Sequence, residues 1–236
     1  MSWLKKIKQW ARFRRNDDAY ATTREKLWQG VKEAVATQLA FGRSIWLVAH
    51  FPDTFVQLQE QVDQWGVEYS IARQPITIES LAGPNKDLIS EGSIHLVLAD
   101  LVPTHQASSD QLYHGNVAAM VVERHPWGPR DVDLCRYFKT LTGAGLSVEL
   151  GYFLAFDDPV VASVLSETTI EVLNQLGLAT HNLINSTALT RRIERQLKRQ
   201  QTLYHDETET DNVQLWFESN RLEPVSYTHL TLPTKA

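Results

Sequence analysis

Apolar positions follow two rhythms along this chain. Residues 117–122, Val-Ala-Ala-Met-Val-Val, make an unbroken apolar run of the length a strand buried on both faces requires. A second run, 44–50, carries Ile45, Trp46, Leu47 and Val48, and a third spans 94–99. Val67, Tyr69 and Ile71 alternate as a strand does, and so do Val148, Leu150 and Tyr152 within 146–156. Between these runs the spacing turns helical. Leu27, Val31, Val35 and Leu39 line one face of a predicted helix over 22–41 that Gly42 ends. Phe55, Leu58, Val62 and Trp65 line another, which Asp53 is expected to cap and Gly66 to stop. A helix is predicted over 130–141, and 78–90 reads as helix in two pieces broken at Gly83-Pro84. Strands alternating with helices predict parallel βαβ units, in a sheet of about five or six strands.

After Asp158 and Pro159, which suit the cap and first position of a helix, only helical spacing is read. Residues 167–176 form one amphipathic stretch ending at Gly177. A long basic helix starts at Ser186, with Leu189, Ile193 and Leu197 on one side and Arg191, Arg192, Arg195, Lys198 and Arg199 around it. An acidic run, 206–211, follows, and the charges of the basic helix and of this run alike read as solvated faces. At the other end, residues 2–15 have the spacing of a basic amphipathic helix. Trp3, Ile7, Trp10 and Arg14 fall on one line, with Lys5, Lys6, Lys8 and Arg12 around them. Tryptophans on one face and cations on the other suit an anionic lipid interface; packing against the domain is the structural alternative. Residues 225–234, Val-Ser-Tyr-Thr-His-Leu-Thr-Leu-Pro-Thr, read as a translated sequencing adapter, so 225–236 is set aside.

One family resemblance emerges. The order Val121-Val-Glu-Arg-His125, then Val132-Asp-Leu134, then Gly151-Tyr-Phe-Leu-Ala-Phe-Asp-Asp-Pro159 resembles SecA, the preprotein translocase motor. Downstream, Gln175-Leu-Gly-Leu178 and Ser186-Thr-Ala-Leu-Thr-Arg-Arg-Ile-Glu-Arg195 are similar to that family's segments leading out of the motor domain. The resemblance covers roughly residues 20–201 and implies an α/β fold of the RecA-like, P-loop NTPase or helicase C-terminal type: a parallel sheet flanked by helices, then a helical extension. It implies four units: a basic amphipathic N-terminal helix over 1–19, a domain like the second nucleotide-binding domain over 20–165, a helical extension over 166–224, and the artefactual tail.

The chemistry that such a motor needs is thin here. No Gly-x-x-x-x-Gly-Lys-[Ser/Thr] string is present, and a second RecA-like domain normally lacks one. Where the family has Gly-Arg-Gly-Thr-Asp, this chain has Asp100-Leu-Val-Pro-Thr104. Where the family places its arginine fingers, Cys135-Arg-Tyr-Phe-Lys-Thr-Leu-Thr142 stands, leaving Arg136 and Lys139 as the only nearby cations. The nucleotide-binding candidates are therefore Glu123, Arg124, Arg136 and Lys139. Glu123, Arg124 and His125 sit where the end of a strand would meet solvent, and a salt bridge closing that end is their structural reading. Strand ends such as Leu96-Val-Leu-Ala-Asp100 imitate a Walker-B aspartate by composition alone. Gly143-Ala-Gly145 precedes a strand and reads as a turn, not a dinucleotide loop. The histidines share no metal-ligand spacing, and Cys135 has no sequence-evident base partner.

Charge and cysteine content narrow the setting. With 23 Lys and Arg against 28 Asp and Glu, the net charge of −5 argues against nucleic acid as the main ligand. A single cysteine rules out an internal disulfide framework and fits a reducing compartment. No apolar run approaches the roughly 20 residues that span a bilayer, and no signal-peptide core follows the first basic residues. The expectation is a cytoplasmic protein, peripheral at the inner face of the membrane, with a SecA-like motor or translocation component as protein partner. No cofactor is expected, and ATP only where a partner supplies a P-loop domain. Two rival readings are half of a composite ATPase and a truncated or decayed gene product.

Overall fold

The structure, a computed structural model, describes residues 12–103, 112–165 and 183–222. It is an α/β fold built on a mostly parallel sheet. In chain order the elements are β1 (Phe13–Arg15), β2 (Ala19–Ala21), α1 (Arg24–Ala40), β3 (Ser44–Ala49), α2 (Pro52–Trp65), β4 (Ser70–Ile71), β5 (Ile94–Leu98), β6 (Asn116–Val121), α3 (Gly128–Gly143), β7 (Ser147–Ala155), α4 (Pro159–Val164), β8 (Ile184–Asn185), α5 (Thr187–Gln200) and α6 (Val213–Ser219). Among the described residues the strands lie in the order β4-β5-β3-β6-β7-β2-β8, with β1 also on β7. Every pairing is parallel except β2 with β8.

Strand alternation sorts the core into two layers. Ile45 and Leu47 of β3 join Met120 of β6 beneath Leu27, Val31 and Val35 of α1 and Leu58 and Val62 of α2. Trp46 and Val48, with Val117, Ala119 and Val121, face Leu134, Phe138 and Leu141 of α3 on the opposite side. Ile193 and Leu197 of α5 pack in that second layer. Both faces of β3 and β6 are thus covered, which is why they read as continuous apolar runs. Leaving β3, the chain crosses by α2 and then builds β4 and β5 on one side. Leaving β6, it crosses by α3 to β7 on the other. The β3–β6 junction is therefore a switch point of the topology, where open α/β sheets offer a crevice outside the strands' carboxyl ends.

Several expected boundaries shift for physical reasons. Phe13–Arg15, expected inside the N-terminal helix, is a strand: pairing with Val148–Leu150 satisfies its backbone and half-buries Phe13 and Arg15. Trp3, Lys5, Lys6, Ile7, Lys8 and Trp10 lie outside the described residues, as do 167–178. Arg12 is described; it is exposed and donates to the Gly145 carbonyl at 2.9 Å. Asp53 does not cap α2, because Pro52 takes the first helical position and Phe51 the cap. Residues 79–82 and 86–89 are short 3₁₀ turns, not α-helix. Asp158 caps α4, its carboxylate accepting from Val160 N, and Ser186 caps α5 by accepting from Leu189 N. The region after α4 is not purely helical: β8 extends the sheet, and a bridge joins Tyr204 to Arg221. No helix among the described residues is long and apolar enough to cross a membrane.

Candidate functional site

The carboxyl ends of β3 and β6 carry the densest polar chemistry of the described structure. Glu123 follows β6 directly, and Val122 still pairs with Val48. Its carboxylate reaches across the switch point to the first turn of α2. Oε1 accepts from the backbone N–H of His50 at 2.7 Å and of Phe51 at 2.9 Å, and Oε2 accepts from the Thr54 hydroxyl at 2.7 Å. Those N–H groups belong to the turn between β3 and α2, a place where a helix N-terminus would hold a phosphate. Here a carboxylate of the same chain fills it, and Pro52 removes a further donor. Burial pushes the Glu123 carboxyl above its ordinary value against the opposing pull of His50, Thr54, the Phe51 N–H and Arg24.

Arg124 turns to the other face of the sheet into a cluster of acids. One guanidinium nitrogen donates to Asp18 at 2.5 Å and to Glu194 at 3.2 Å, and another to Asp131 at 3.2 Å. Its guanidinium carbon lies 4.5 Å from the centre of the Tyr152 ring. Arg15 donates to the same Asp18 at 2.5 Å. Burial works against the Arg124 charge, but Asp18 and Asp131 outweigh it and hold the group firmly cationic. For Asp131, burial acts upward most strongly, yet His50, Arg124 and the His125 N–H together leave the carboxyl below its ordinary value. His50 Nε2 lies 2.9 Å from Asp131 Oδ1, without the alignment of a hydrogen bond. The group is a closed network in which paired charges offset the cost of their burial.

His125 completes the end of the strand as a packing residue. Its ring stacks on Phe51 at 5.2 Å and meets the edges of His50 at 5.4 Å and Trp216 at 5.3 Å. Nδ1 accepts from Trp127 N at 3.0 Å, and burial, reinforced by His50, pushes the imidazole down to about 3. Trp216 arrives on a strap, residues 204–222, folded over the crevice. Asn220 is fully buried and braces it, accepting from Glu207 N and Thr208 N and donating to the Thr208 and Trp216 carbonyls. The strap is tied to α2 by Asp53 N to the Asp211 carbonyl and by Asn212 to Asp53. Asp206 ties it to α3, accepting from Arg130 at 2.7 Å. Within the acidic run, then, Asp206 is an internal partner; Glu207, Glu209 and Asp211 are the exposed part.

Beneath the strap remains a cavity of 260 Å³, bordered by His50, Asp100, His125, Arg130 and Glu209. That is below the roughly 300–1,000 Å³ of ordinary small-molecule sites, and three of its groups are already paired with one another. Among the described residues no three His, Cys, Asp or Glu side chains converge to hold a metal ion.

Of the four sequence-derived candidates, Glu123 and Arg124 are buried rather than solvent-facing, and are engaged by their own chain. Arg136 and Lys139 lie apart from Glu123 on the exposed side of α3, where Arg136 pairs with Asp133. His50, Asp18, Asp131 and Trp216 were not singled out in the sequence. Asp131, one helical turn into α3, was the one with a local signal. Comparison with models of protein families and with characterised proteins finds no match for this chain.

Proposed function

We propose that this chain is a SecA-like module that does not hydrolyse ATP by itself and acts as an interaction protein of preprotein translocation, cytoplasmic and peripheral at the membrane surface. The observation that carries the first half is Glu123: its carboxylate occupies the α2 N-terminus, the anion position of the β3–α2 turn. The Trp216 strap and the Arg124 network then narrow the crevice at the strands' carboxyl ends to a cavity of 260 Å³. A phosphate entering there would have to displace a buried carboxylate holding three hydrogen bonds, so binding would be opposed by charge as well as by space. The RecA-like type and the tie to translocation rest on the ordered residue matches to SecA, and the parallel sheet with its switch point is compatible with them.

The test has two arms on the full chain. Repurified protein is assayed for ATP turnover and for a nucleotide-induced change in melting temperature; neither is expected. The same protein is then titrated into a purified full-length SecA motor with anionic vesicles, where complex formation is expected at unchanged turnover per motor. Turnover by the chain alone that is lost on Arg136→Ala or Lys139→Ala would overturn the first half. Absence of any complex with the motor would overturn the second.

A further inference from the structure

A recess of 840 Å³ lies between α3 and α5. Its floor is Tyr152, Cys135 and Leu197, with Arg124 at the inner end. Val132 stands in its wall, 55% exposed although it is a branched apolar side chain on a helix. Around the mouth stand Arg15, Arg136, Lys139 and Lys198.

Charge is distributed unevenly around this groove. The chain as a whole is net acidic at −5, yet α5 exposes Arg191, Arg192, Arg195, Lys198 and Arg199 and carries one acid, Glu194. That acid is drawn inward to Arg124, and the acids of α3 are likewise used internally: Asp131 by Arg124, Asp133 by Arg136. Lys198 has no carboxylate partner among the described residues. The groove thus combines an apolar floor with a cationic mouth, and the exposed Val132 borders that floor.

We infer that the α3–α5 groove docks an acidic amphipathic helix of a partner protein, which would set apolar side chains against Val132 and the apolar floor and carboxylates against Arg136 and Lys198. This rests on the reading of the chain as an interaction module and names the chemistry of its partner. Helix-in-groove recognition needs one apolar stripe and flanking complementary charge, and both are present. A nucleic-acid strand fits less well. Asp133 and Glu194 interrupt the row of cations that a phosphate backbone would follow, and the wall residue offered is Val132 rather than a stacking aromatic.

The probe is a fluorescein-labelled peptide with leucines on one helical stripe and glutamates elsewhere, followed by anisotropy against the full chain. Its control is a permuted peptide of equal composition with the leucines spread around the helix. The amphipathic peptide is expected to bind in a salt-sensitive way and the permuted one at least about tenfold more weakly, a difference of about 1.4 kcal/mol. Arg136→Glu with Lys198→Glu, and separately Val132→Asp, should each weaken binding by at least about tenfold. Lys32→Glu, on the exposed side of α1, should not. All four side chains are exposed, so unchanged melting temperatures are expected and checked first. Equal binding of the two peptides, or an unaffected Val132→Asp variant, would reduce the effect to bulk charge and overturn the inference. Tighter binding of a single-stranded oligonucleotide, or self-association that the double variant abolishes and the peptide displaces, would overturn it in favour of nucleic acid or a second copy. ATP turnover by the chain would sink the reading on which this rests. Failure of the peptide arm with no turnover sinks the docking inference alone.

Discussion

The neutral, buried imidazole of His125 makes the fold sensitive to acid in a way that can be worked out in advance. Its pKa is about 3 in the folded chain against an ordinary 6.5. A group whose folded pKa is depressed supplies stability that is present above the unfolded pKa and lost as pH falls. The window opens near pH 6.5 and closes near 3. At pH 5 the folded ring is neutral whether its pKa is 3 or a unit higher, so the loss depends only on protonation of the unfolded chain. That loss is about 2 kcal/mol relative to pH 7, at 1.36 kcal/mol for each pKa unit. Asp158 acts with the opposite sign. Burial, opposed by Arg24, raises its carboxyl to about 6, so its contribution is lost as pH rises from 3.8 through 6. The measurement must therefore be a double difference. Urea unfolding, read by tryptophan fluorescence at pH 7 and pH 5, is compared between the natural chain and His125→Phe. Phenylalanine keeps the stack on Phe51 and Trp216 but forfeits the bond from Trp127 N, a cost that is the same at both pH values. The variant should lose about 2 kcal/mol less between pH 7 and 5 than the natural chain does. Equal losses would refute the assignment of His125 as a buried neutral ring.

Three further outcomes follow from the same contacts. Arg124→Met leaves Asp131 buried without its guanidinium partner and Asp18 with Arg15 alone, and should destabilise the chain by about 3–5 kcal/mol in chemical denaturation; Arg124→Lys should recover little, because one ammonium cannot serve three carboxylates placed for a guanidinium fork. Trp216→Ala should cost about 3–5 kcal/mol and speed proteolysis at Glu207 and Glu209 by a glutamate-specific protease, since that ring holds the strap on His125. At the membrane, deleting residues 1–11 while keeping the β1 strand should abolish salt-sensitive pelleting with anionic vesicles and leave the melting temperature unchanged; equal pelleting of both forms would refute a membrane role for Trp3, Lys5, Lys6, Ile7, Lys8 and Trp10.

How much of this was legible depends on whether the cause is local. β3 and β6 could be read because burial on both faces leaves no polar position in the run, and α4 and α5 because Asp158 and Ser186 make caps with N–H groups two or three residues away. Asp53 misled because Pro52, one residue earlier, already suits the first helical position and moves the cap back to Phe51. β1 was hidden because Phe13, Arg14 and Arg15 alternate too briefly to outweigh the helical spacing that precedes them. Nothing in the neighbourhood of Arg124 announces Asp18, 106 positions earlier, or marks Trp216 as the cover over His125. The polar string Glu-Arg-His carried two readings, an open site and a salt bridge closing the strand end; in three dimensions the Glu123 oxygens and the terminal nitrogens of Arg124 are satisfied, while Arg124 Nε is buried without a hydrogen-bond partner.

That satisfaction bears on what a buried ion cluster can signify. Catalytic groups are kept partly unpaired, because a carboxylate or guanidinium that must stabilise a developing charge needs a vacancy in its hydrogen-bond shell. In this cluster both Glu123 oxygens accept bonds, the terminal nitrogens of Arg124 are shared among three acids, and His125 is neutral and wedged between aromatic rings. Lys198, by contrast, stands without a carboxylate partner among the described residues at the mouth of an open, apolar-floored groove, beside Arg136, which pairs with Asp133 at the surface. The ion cluster and the groove share Arg124 and Asp131, so occupation of the groove would be felt at the strand ends through one guanidinium. Binding on the α3–α5 side should therefore stabilise the strap as well, because Arg124 and Asp131 connect the groove to His50, which lies against the His125 ring that Trp216 covers.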